Sequence, residues 1–296
     1  MAERTKTRRM TSFQKVLQRL AKDKMAVLCG IILLAFLLVA IFSSSLTPND
    51  PNEVHPELRL AEPSFQYPLG NDQLGRCILS RLIAGTSTTL GNALAVLTGI
   101  LVVGVPLGMY AGFKGGIVDN IIMRLVDVLC TFPSSLVALA VVGILGPGLT
   151  NIMLVLVTLW WAPLARMVRG EVLQIKEKEF VTAARCSGLS DTKIVFRHVL
   201  LNIVPPVVVY ATLRVGAIIM HIAGFSFIGL GTQAPMSDWG VMLSDAREYL
   251  RFAPRMMLWP GLCIMIVAFS LNVFGEGLGE ALKPGSKNLS RKEVQE

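Results

Sequence analysis

The residues whose types and spacing could do chemistry lie in one polar stretch, residues 179–206, between two long apolar runs. Ala183 and Ala184 are small and adjacent, so another surface could approach them closely. Gly188 suits the left-handed conformation that ends many helices. The pattern predicts two short helices, called the island from here on, that are presented to a soluble partner.

The second island helix is expected to run through Leu201. Ser190 or Asp191 can cap its first turn, and Asn202 with the two prolines after it should end it. Three-and-four spacing places four residues on one apolar stripe: Ile194, Val195, His198 and Val199. Docking such a stripe into a groove is a recurring mode of recognition. An amphipathic segment lying on a lipid surface explains the same residues equally well.

Composition indicates that the elements around the island cross a membrane. The chain has 296 residues, of which 53% are hydrophobic and only 16% are charged, whereas about a quarter of the residues in soluble domains are charged. Residues 25–42 and 86–111 carry no charge, and each run is long enough to cross the hydrocarbon core. A basic segment precedes the first run, but no clear cleavage site follows the run. We therefore expect it to remain as an uncleaved span.

The apolar runs predict an all-α, polytopic membrane protein with six transmembrane helices. Their expected ranges are 25–42, 88–110, 120–145, 149–167, 203–228 and 256–273. Basic residues cluster before the first span, in the island and near the C-terminus, which assigns these three segments to the cytoplasm. The net charge of +8 therefore reflects topology, and no nucleic acid partner is expected.

The topology divides the chain into four parts. They are a cytoplasmic basic segment at 1–24, the first span with an outer segment at 25–87, a five-helix core at 88–280 and a cytoplasmic tail at 281–296. Within the core, the island helices occupy 179–201. The outer connection at 231–255 is expected to form a short helix that caps the mouth of a pathway.

Ionisable residues inside the spans are candidates for function, because burying charge in lipid is costly. Arg124 and Asp127 lie three apart and are expected to pair. Arg214 could neutralise a carboxylate, line a pathway or only pack. His221 could line the pathway and bind a metal such as Ni²⁺, although a lone histidine more often bonds to a backbone carbonyl. The candidate pathway residues are Arg214, Met220, His221 and Ser226.

The tryptophans and glycines have structural interpretations. Trp160, Trp161 and Trp259 lie near span ends and are expected to anchor them at the membrane interface. Six glycines are expected at turns and close helix contacts, with a role as hinges as the alternative: Gly143, Gly146, Gly148, Gly224, Gly229 and Gly231.

The island resembles the EAA motif, roughly E-A-A-x3-G-x9-H-x-L-P, of the inner-membrane permeases of binding-protein-dependent ABC importers. The matching residues are Ala183, Ala184, Gly188, His198 and Leu200. Thr182 occupies the glutamate position of the motif, which removes the salt bridge that the glutamate would make. Leu201 occupies its proline position, while the spacing is intact.

Two further segments resemble the peptide/nickel branch of this permease family. Residues 67–82, YPLGNDQLGRCILSRL, are similar to the segment HPLGTDxxGRDxLSRL, with Tyr67 in place of the histidine and Cys77 in place of the second aspartate. Residues 227–240 begin FIGLG and end WG, a combination that recurs in the second permease of that branch.

The resemblance implies a type I ABC importer permease fold in a bacterial inner membrane, with both termini in the cytoplasm and the chain surrounded by membrane lipid. It implies a second homologous permease, two ATPase subunits and an extracytoplasmic substrate-binding protein as partners. ATP and Mg²⁺ would bind the ATPase subunits, since this chain lacks GxxxxGK[ST]; we expect no cofactor and no enzyme activity in the chain itself. The implied ATPase-coupling residues are Glu179, Thr182, Ala183, Ala184, Gly188, Arg197 and His198.

Within that family, the sequence around His221 and at 123–168 slightly favours nickel or a metal chelate as cargo, with small peptides nearly level. A stand-alone channel or secondary transporter would need a series of ionisable groups in the bundle, and no internal repeat is evident. An intramembrane enzyme would need a Ser–Lys, HExxH or paired-Asp arrangement, and none is evident.

Overall fold

The computed structural model describes residues 12–233 and 235–283, with side chains from residue 16 onward. The basic segment predicted at 1–24 and the tail predicted at 281–296 therefore lie partly outside the described residues. Regular structure in the described residues is helical, apart from one isolated bridge between Asn71 and Cys77. The all-α prediction is confirmed for this part of the chain.

Twelve α-helices follow one another along the described residues. The first six are α1 (Ser12–Leu20), α2 (Lys24–Ile41), α3 (Ser43–Leu46), α4 (Ile78–Lys114), α5 (Gly116–Thr131) and α6 (Ser134–Leu145). The second six are α7 (Leu149–Lys176), α8 (Glu179–Cys186), α9 (Asp191–Ile194), α10 (Leu200–Phe227), α11 (Trp239–Ala246) and α12 (Arg255–Leu282). Short 3-10 turns lie at Pro56–Leu58 and Arg247–Tyr249.

Five helical stretches of the described chain are long and apolar enough to cross a membrane: α2, α4, α7, the run from α9 through α10, and α12. Helices α5 and α6 pass the same test only together, and an 81° bend separates them. The described residues therefore contain five candidate spans, or six if the bent pair is one span. The predicted continuous helix at 120–145 is wrong, because Pro133 forces Phe132 into an extended conformation and breaks it.

Several helices extend beyond their predicted spans. Helix α4 begins at Ile78, not at residue 88, and α7 continues to Lys176, not 167. Helix α12 likewise continues to Leu282. An apolar run marks only the part of a helix that lies in hydrocarbon, whereas helical hydrogen bonding continues into polar surroundings. The predicted span lengths were therefore too short.

The second island helix does not end at Asn202 as predicted. A π-helical turn at Val195–Val199 joins α9 to α10, so one helical run passes through Pro205 and Pro206 and reaches Phe227. Each proline removes one hydrogen-bond donor, and membrane-spanning helices tolerate this where neighbouring helices pack around them. The fifth span and the second island helix are therefore one continuous rod that begins at Asp191.

The bundle is organised around the pair of α4 and α7, and a second pair is formed by α10 and α12. Helix α2 packs on α12, and α10 also contacts α4 and α7. Glycines spaced by four on α4 allow it to approach α7 closely. A Cβ on Gly108 would lie only 2.5 Å from the carbonyl oxygen of Ala165. This close contact fixes α7, from which the island begins.

Candidate functional site

The first island helix, α8, ends in a Schellman motif at Gly188. The Gly188 N–H donates to the Arg185 carbonyl at 3.0 Å, and the Leu189 N–H donates to the Ala184 carbonyl at 3.2 Å. Gly188 has a φ of +75°, while a Cβ added there would meet nothing within 4 Å. Backbone conformation, not lack of space, therefore requires glycine, and the predicted helix end is confirmed.

Helix α8 presents a polar face outward and buries the opposite face. Val181 and Ala184 are buried in the core of the chain. The exposed residues of α8 are Glu179, Phe180, Thr182, Ala183, Arg185 and Cys186. The two alanines predicted to face a partner therefore lie on different faces of α8, because consecutive helical residues point about 100° apart. Only Ala183 is available to another molecule.

The apolar stripe predicted to dock on a partner packs instead on its own bundle. Ile194 and Val199 are buried, and Val195 and His198 are half-buried. Ser190 occupies the N-cap position of α9 but makes no side-chain capping hydrogen bond. A stripe with this spacing covers the nearest apolar surface, which here is the chain's own core.

The outward face of the second island helix carries different residues. Arg197 is exposed, and so is Phe196, with 64% of its surface accessible. A surface hollow of about 460 Å³ lies beside them. Its lining residues are Leu189, Lys193, Phe196, Arg197 and Leu201. Two cations around an apolar patch suit an acidic, partly apolar surface on another protein.

The candidate pathway residue Arg214 lies in α10 among aromatic groups. Its Nε and Nη2 donate to the Tyr210 hydroxyl at 3.1 and 2.9 Å. Its guanidinium carbon lies 4.9 Å from the centroid of the Trp160 ring and 5.1 Å from that of Tyr210. Such cation–π contacts hold an arginine head group in a fixed plane.

His221 flanks the same tryptophan. Its ring packs edge-to-face on Trp160 with a centroid distance of 4.6 Å, and its Nδ1 lies 2.9 Å from the Ala217 carbonyl oxygen. A carbonyl can only accept, so Nδ1 carries the proton in this contact. The neighbouring Met220 is 59% exposed. No group of three His, Cys, Asp or Glu side chains that could hold a metal was found among the described residues.

The remaining predictions for the spans change with the structure. Ser226 is buried, and its hydroxyl accepts a hydrogen bond from the Thr232 N–H. Trp160 and Trp161 are buried within α7, so the prediction that they are interfacial anchors is wrong. Among the predicted turn and contact glycines, Gly146 and Gly229 have positive φ.

The predicted pair of Arg124 and Asp127 is also wrong. Asp127 Oδ1 accepts instead from Arg166 Nη2 at 2.5 Å, and one turn further along α7 Arg169 makes a bidentate pair with Asp119. Both carboxylates belong to α5, which the break at Pro133 leaves lying along α7. The charges therefore join two helices and not two turns of one helix.

On the other side of the bundle, four charged residues form a network. Asp72 Oδ2 lies 2.7 Å from Arg76 Nε and 2.5 Å from Arg81 Nη1. Arg76 Nη2 and Arg81 Nη1 also lie 3.2 and 3.3 Å, respectively, from Oδ2 of Asp245 in α11. This network ties the outer segment to the outer connection. The resembling segment 67–82 contains three of the four residues, but it did not reveal their partner.

The outer connection forms the helix that the sequence predicted, α11, and Asp238 caps it. The buried Asp238 carboxylate accepts from the N–H groups of Gly240 and Val241 and from the Thr89 hydroxyl. Burial raises the pKa of the Asp238 carboxyl, and these hydrogen bonds oppose that rise. Trp239 next to it is fully buried, and its Nε1 donates to the Leu82 carbonyl. The cap therefore locks α11 onto α4.

Comparison with known proteins identifies the class of the chain. Residues 104–288 match the family described as binding-protein-dependent transport system inner membrane component. Residues 11–63 match the N-terminal TM domain of oligopeptide transport permease C. The first match covers more than half of the chain. The chain belongs to this family.

Three curated relatives of this permease cover nearly its whole length. The dipeptide transport system permease protein of Alkalihalophilus pseudofirmus is 38% identical over 279 residues, covering 94% of this chain and 92% of that protein. The nickel transport system permease protein of Escherichia coli is 40% identical over 263 residues, covering 88% and 95%. The glutathione transport system permease protein of Pectobacterium atrosepticum is 38% identical over 280 residues, covering 94% and 93%.

A solved structure supports the fold of the permease. The methionine ABC transporter MetNI in an inward-facing conformation aligns with a TM-score of 0.56 at 20% identity, covering 70% of this chain and 98% of that chain. Together with the family match, this confirms the type I importer permease fold. The permease is a multi-pass membrane subunit of an ABC importer, not an enzyme, and such subunits work with ATPase and substrate-binding partners.

Proposed function

We propose that this permease forms half of a translocation pathway, paired with a second homologous permease and driven by two separate ATPase subunits. The ATPases bind ATP and Mg²⁺ and contact the island, which faces the cytoplasm together with both termini. The observation that carries the proposal is the exposed polar face of α8, ended by the Schellman motif at Gly188. The basic clusters of the sequence support the orientation.

The predicted coupling residues have different roles within this proposal. Glu179, Thr182 and Ala183 lie on the exposed face of α8, and Arg197 lies beside the basic hollow. They would contact an ATPase. Ala184 and His198 support the island from within, and Gly188 fixes the angle between its two parts. Thr182 replaces a motif glutamate, so the interface uses the cations around the hollow instead of that carboxylate.

For cargo, we propose small peptides, with nickel or a metal chelate as the second candidate. The dipeptide and glutathione permeases among the relatives support the first choice. The nickel permease and the edge-to-face placement of His221 on Trp160 support the second. In both cases Arg214 and His221 would line the pathway with Met220 on its border, whereas the buried Ser226 would support the end of α10 from within.

Reconstituted transport tests this function. The complete importer is placed in liposomes with ATP on the ATPase side and the binding protein on the other, and uptake of a dipeptide mixture, glutathione and Ni²⁺ is measured. We expect ATP-dependent uptake of dipeptides that stops when the ATPase subunits are omitted. Transport by this permease without any ATPase subunit would overturn the proposal.

A further inference from the structure

Arg214 carries a positive charge within a membrane-spanning helix. Such a charge is costly there, so it marks a candidate functional site. Ion pairs in the described residues occupy other arginines: Arg76, Arg81, Arg166, Arg169 and Arg255. Arg214 contacts the Tyr210 hydroxyl and two aromatic rings instead. These groups orient the guanidinium but do not neutralise it.

The position of Arg214 connects it to an open groove. Tyr210 lines a groove of about 700 Å³ between α7, α10 and α12, whose charged lining residues are Glu171, Lys178 and Lys283 towards the island end of the bundle. Tyr210, Arg214 and His221 lie on one face of α10, because residues spaced by three, four or seven superimpose along a helix. Arg214 is one turn beyond the groove lining and is half-buried. The groove lining at Tyr210 therefore lies about one helical turn from Arg214.

The guanidinium presents a free edge with a defined geometry. Tyr210 occupies the edge formed by Nε and Nη2, and the guanidinium carbon lies 4.9 Å from the centroid of the Trp160 ring. The edge formed by Nη1 and the outer hydrogen of Nη2 keeps its donors. In the described residues the hydrogen bonds of Arg214 both go to Tyr210, and Nη1 is not among the buried side-chain atoms that lack a partner. Two parallel N–H donors match the two oxygens of a carboxylate.

We propose that Arg214, held by Tyr210 and Trp160, is a carboxylate-binding station in the translocation pathway and selects cargo that carries a carboxylate. The inference rests on the proposed function, because the chain must form half of the pathway. It narrows the cargo to molecules such as peptides with a free C-terminus or metal chelates with carboxylate ligands. Free Ni²⁺ is repelled by the same charge.

The test compares free and amidated peptides in the reconstituted importer. An equimolar dipeptide mixture and its C-terminal amides are supplied with the binding protein, and uptake is measured by mass spectrometry, with NiCl₂ as a third probe. We expect Arg214→Gln to slow uptake of the free peptides about tenfold, the effect of losing a charge-assisted hydrogen bond, and to leave the rate for the amides as it was. Arg214→Lys, which keeps the charge, should recover part of the loss.

Two further variants keep the result interpretable. Arg251→Gln removes an exposed arginine of the outer connection and should leave the ratio of free to amidated uptake unchanged. Tyr210→Phe removes only the hydroxyl that orients Arg214, and should lower the ratio less than Arg214→Gln does. It also provides the answer if the glutamine variant fails to assemble.

Three results would overturn the proposal that Arg214 is a carboxylate-binding station. Equal losses for free and amidated peptides would mean that Arg214 pairs with a carboxylate of the partner permease. Equal losses in the glutamine and lysine variants would mean a packing role. Uptake of Ni²⁺ from NiCl₂ as fast as that of peptides would contradict charge selection. Failure of the proposed function looks different, because the unaltered importer would then show no ATP-dependent uptake.

Discussion

At the scale of single residues, Gly188 sets the geometry of the island. Its left-handed backbone lets the chain reverse direction while the Ala184 and Arg185 carbonyls keep hydrogen-bond partners. A β-branched residue resists that conformation, at a cost of about 1–2 kcal/mol. Strain at this position would therefore change the angle between α8 and the rod that begins at α9.

Replacing Gly188 tests whether that angle matters for coupling. Gly188→Val should reduce ATP-dependent uptake at least several-fold and weaken co-purification of the ATPase subunits, while Gly188→Asn, which tolerates the left-handed region, should retain most of both. Gly146→Val is the matched control, because Gly146 also has positive φ and open space around it but joins α6 to α7. Equal loss of ATPase binding in the Gly188→Val and Gly146→Val variants would refute a specific role for the island.

The buried network around Asp72 makes a second residue-scale prediction. Asp72→Asn leaves Arg76 and Arg81 buried with a weaker counter-charge from Asp245, and breaking a buried pair costs about 3–5 kcal/mol. Glu62→Gln is the control, because Glu62 pairs with Arg255 but is 80% exposed, and exposed pairs contribute about 0–1 kcal/mol. Thermal unfolding of the purified complex should show a clear loss only for Asp72→Asn. Similar shifts in both variants would argue against the network.

At the scale of elements, the contact between α4 and α7 depends on small residues. Gly108→Val should separate the two helices, since even a Cβ there would lie 2.5 Å from the Ala165 carbonyl oxygen. Overpacking of this kind costs about 1–3 kcal/mol. Gly91→Val on the same helix is the control, because a Cβ at Gly91 meets nothing within 4 Å. Thermal unfolding of the two variants measures the difference, and equal stability would contradict the packing.

The sequence predicted which segments are helical spans because hydrophobic runs depend only on local composition. It did not predict that Pro133 bends the third span by 81°, or that the helix continues through Pro205 and Pro206. All three prolines remove a donor, and only tertiary packing decides whether a helix bends, breaks or continues. Sequence patterns alone could not separate these outcomes.

The candidate sites could likewise be predicted only where they depend on local sequence and not on tertiary packing. Gly188 was predicted correctly because a helix end is a local event. The pairing of Asp127 with Arg166, and of Arg76 and Arg81 with Asp245, depends on residues distant in sequence. Tyr210 had a usable signal, since it lies four residues before Arg214 on the same helix face, but the contribution of Trp160 comes from another helix.

At the scale of the whole molecule, one helical rod connects the island to the outer connection. The run from Asp191 to Phe227 begins in the island and passes Arg214 and His221 before it reaches the outer connection. A force applied to the island by an ATPase would therefore be transmitted directly to the candidate carboxylate station. Helices α7 and α12 border the groove along the same rod, so movement of the rod changes access to that groove.

The accessibility of Cys186 tests the central claim that the island receives the ATPase. Cys186 is an exposed residue of α8, and a variant that keeps it as the only cysteine can be labelled with a membrane-impermeant maleimide. A matched variant carries its single cysteine at Met236, which is exposed in the outer connection. The account predicts that Cys186 is labelled only from the cytoplasmic side, that bound ATPase subunits block this labelling, and that the cysteine at 236 reacts only from the opposite side. Labelling of Cys186 from the outside, or equal labelling with and without the ATPase subunits, would contradict it.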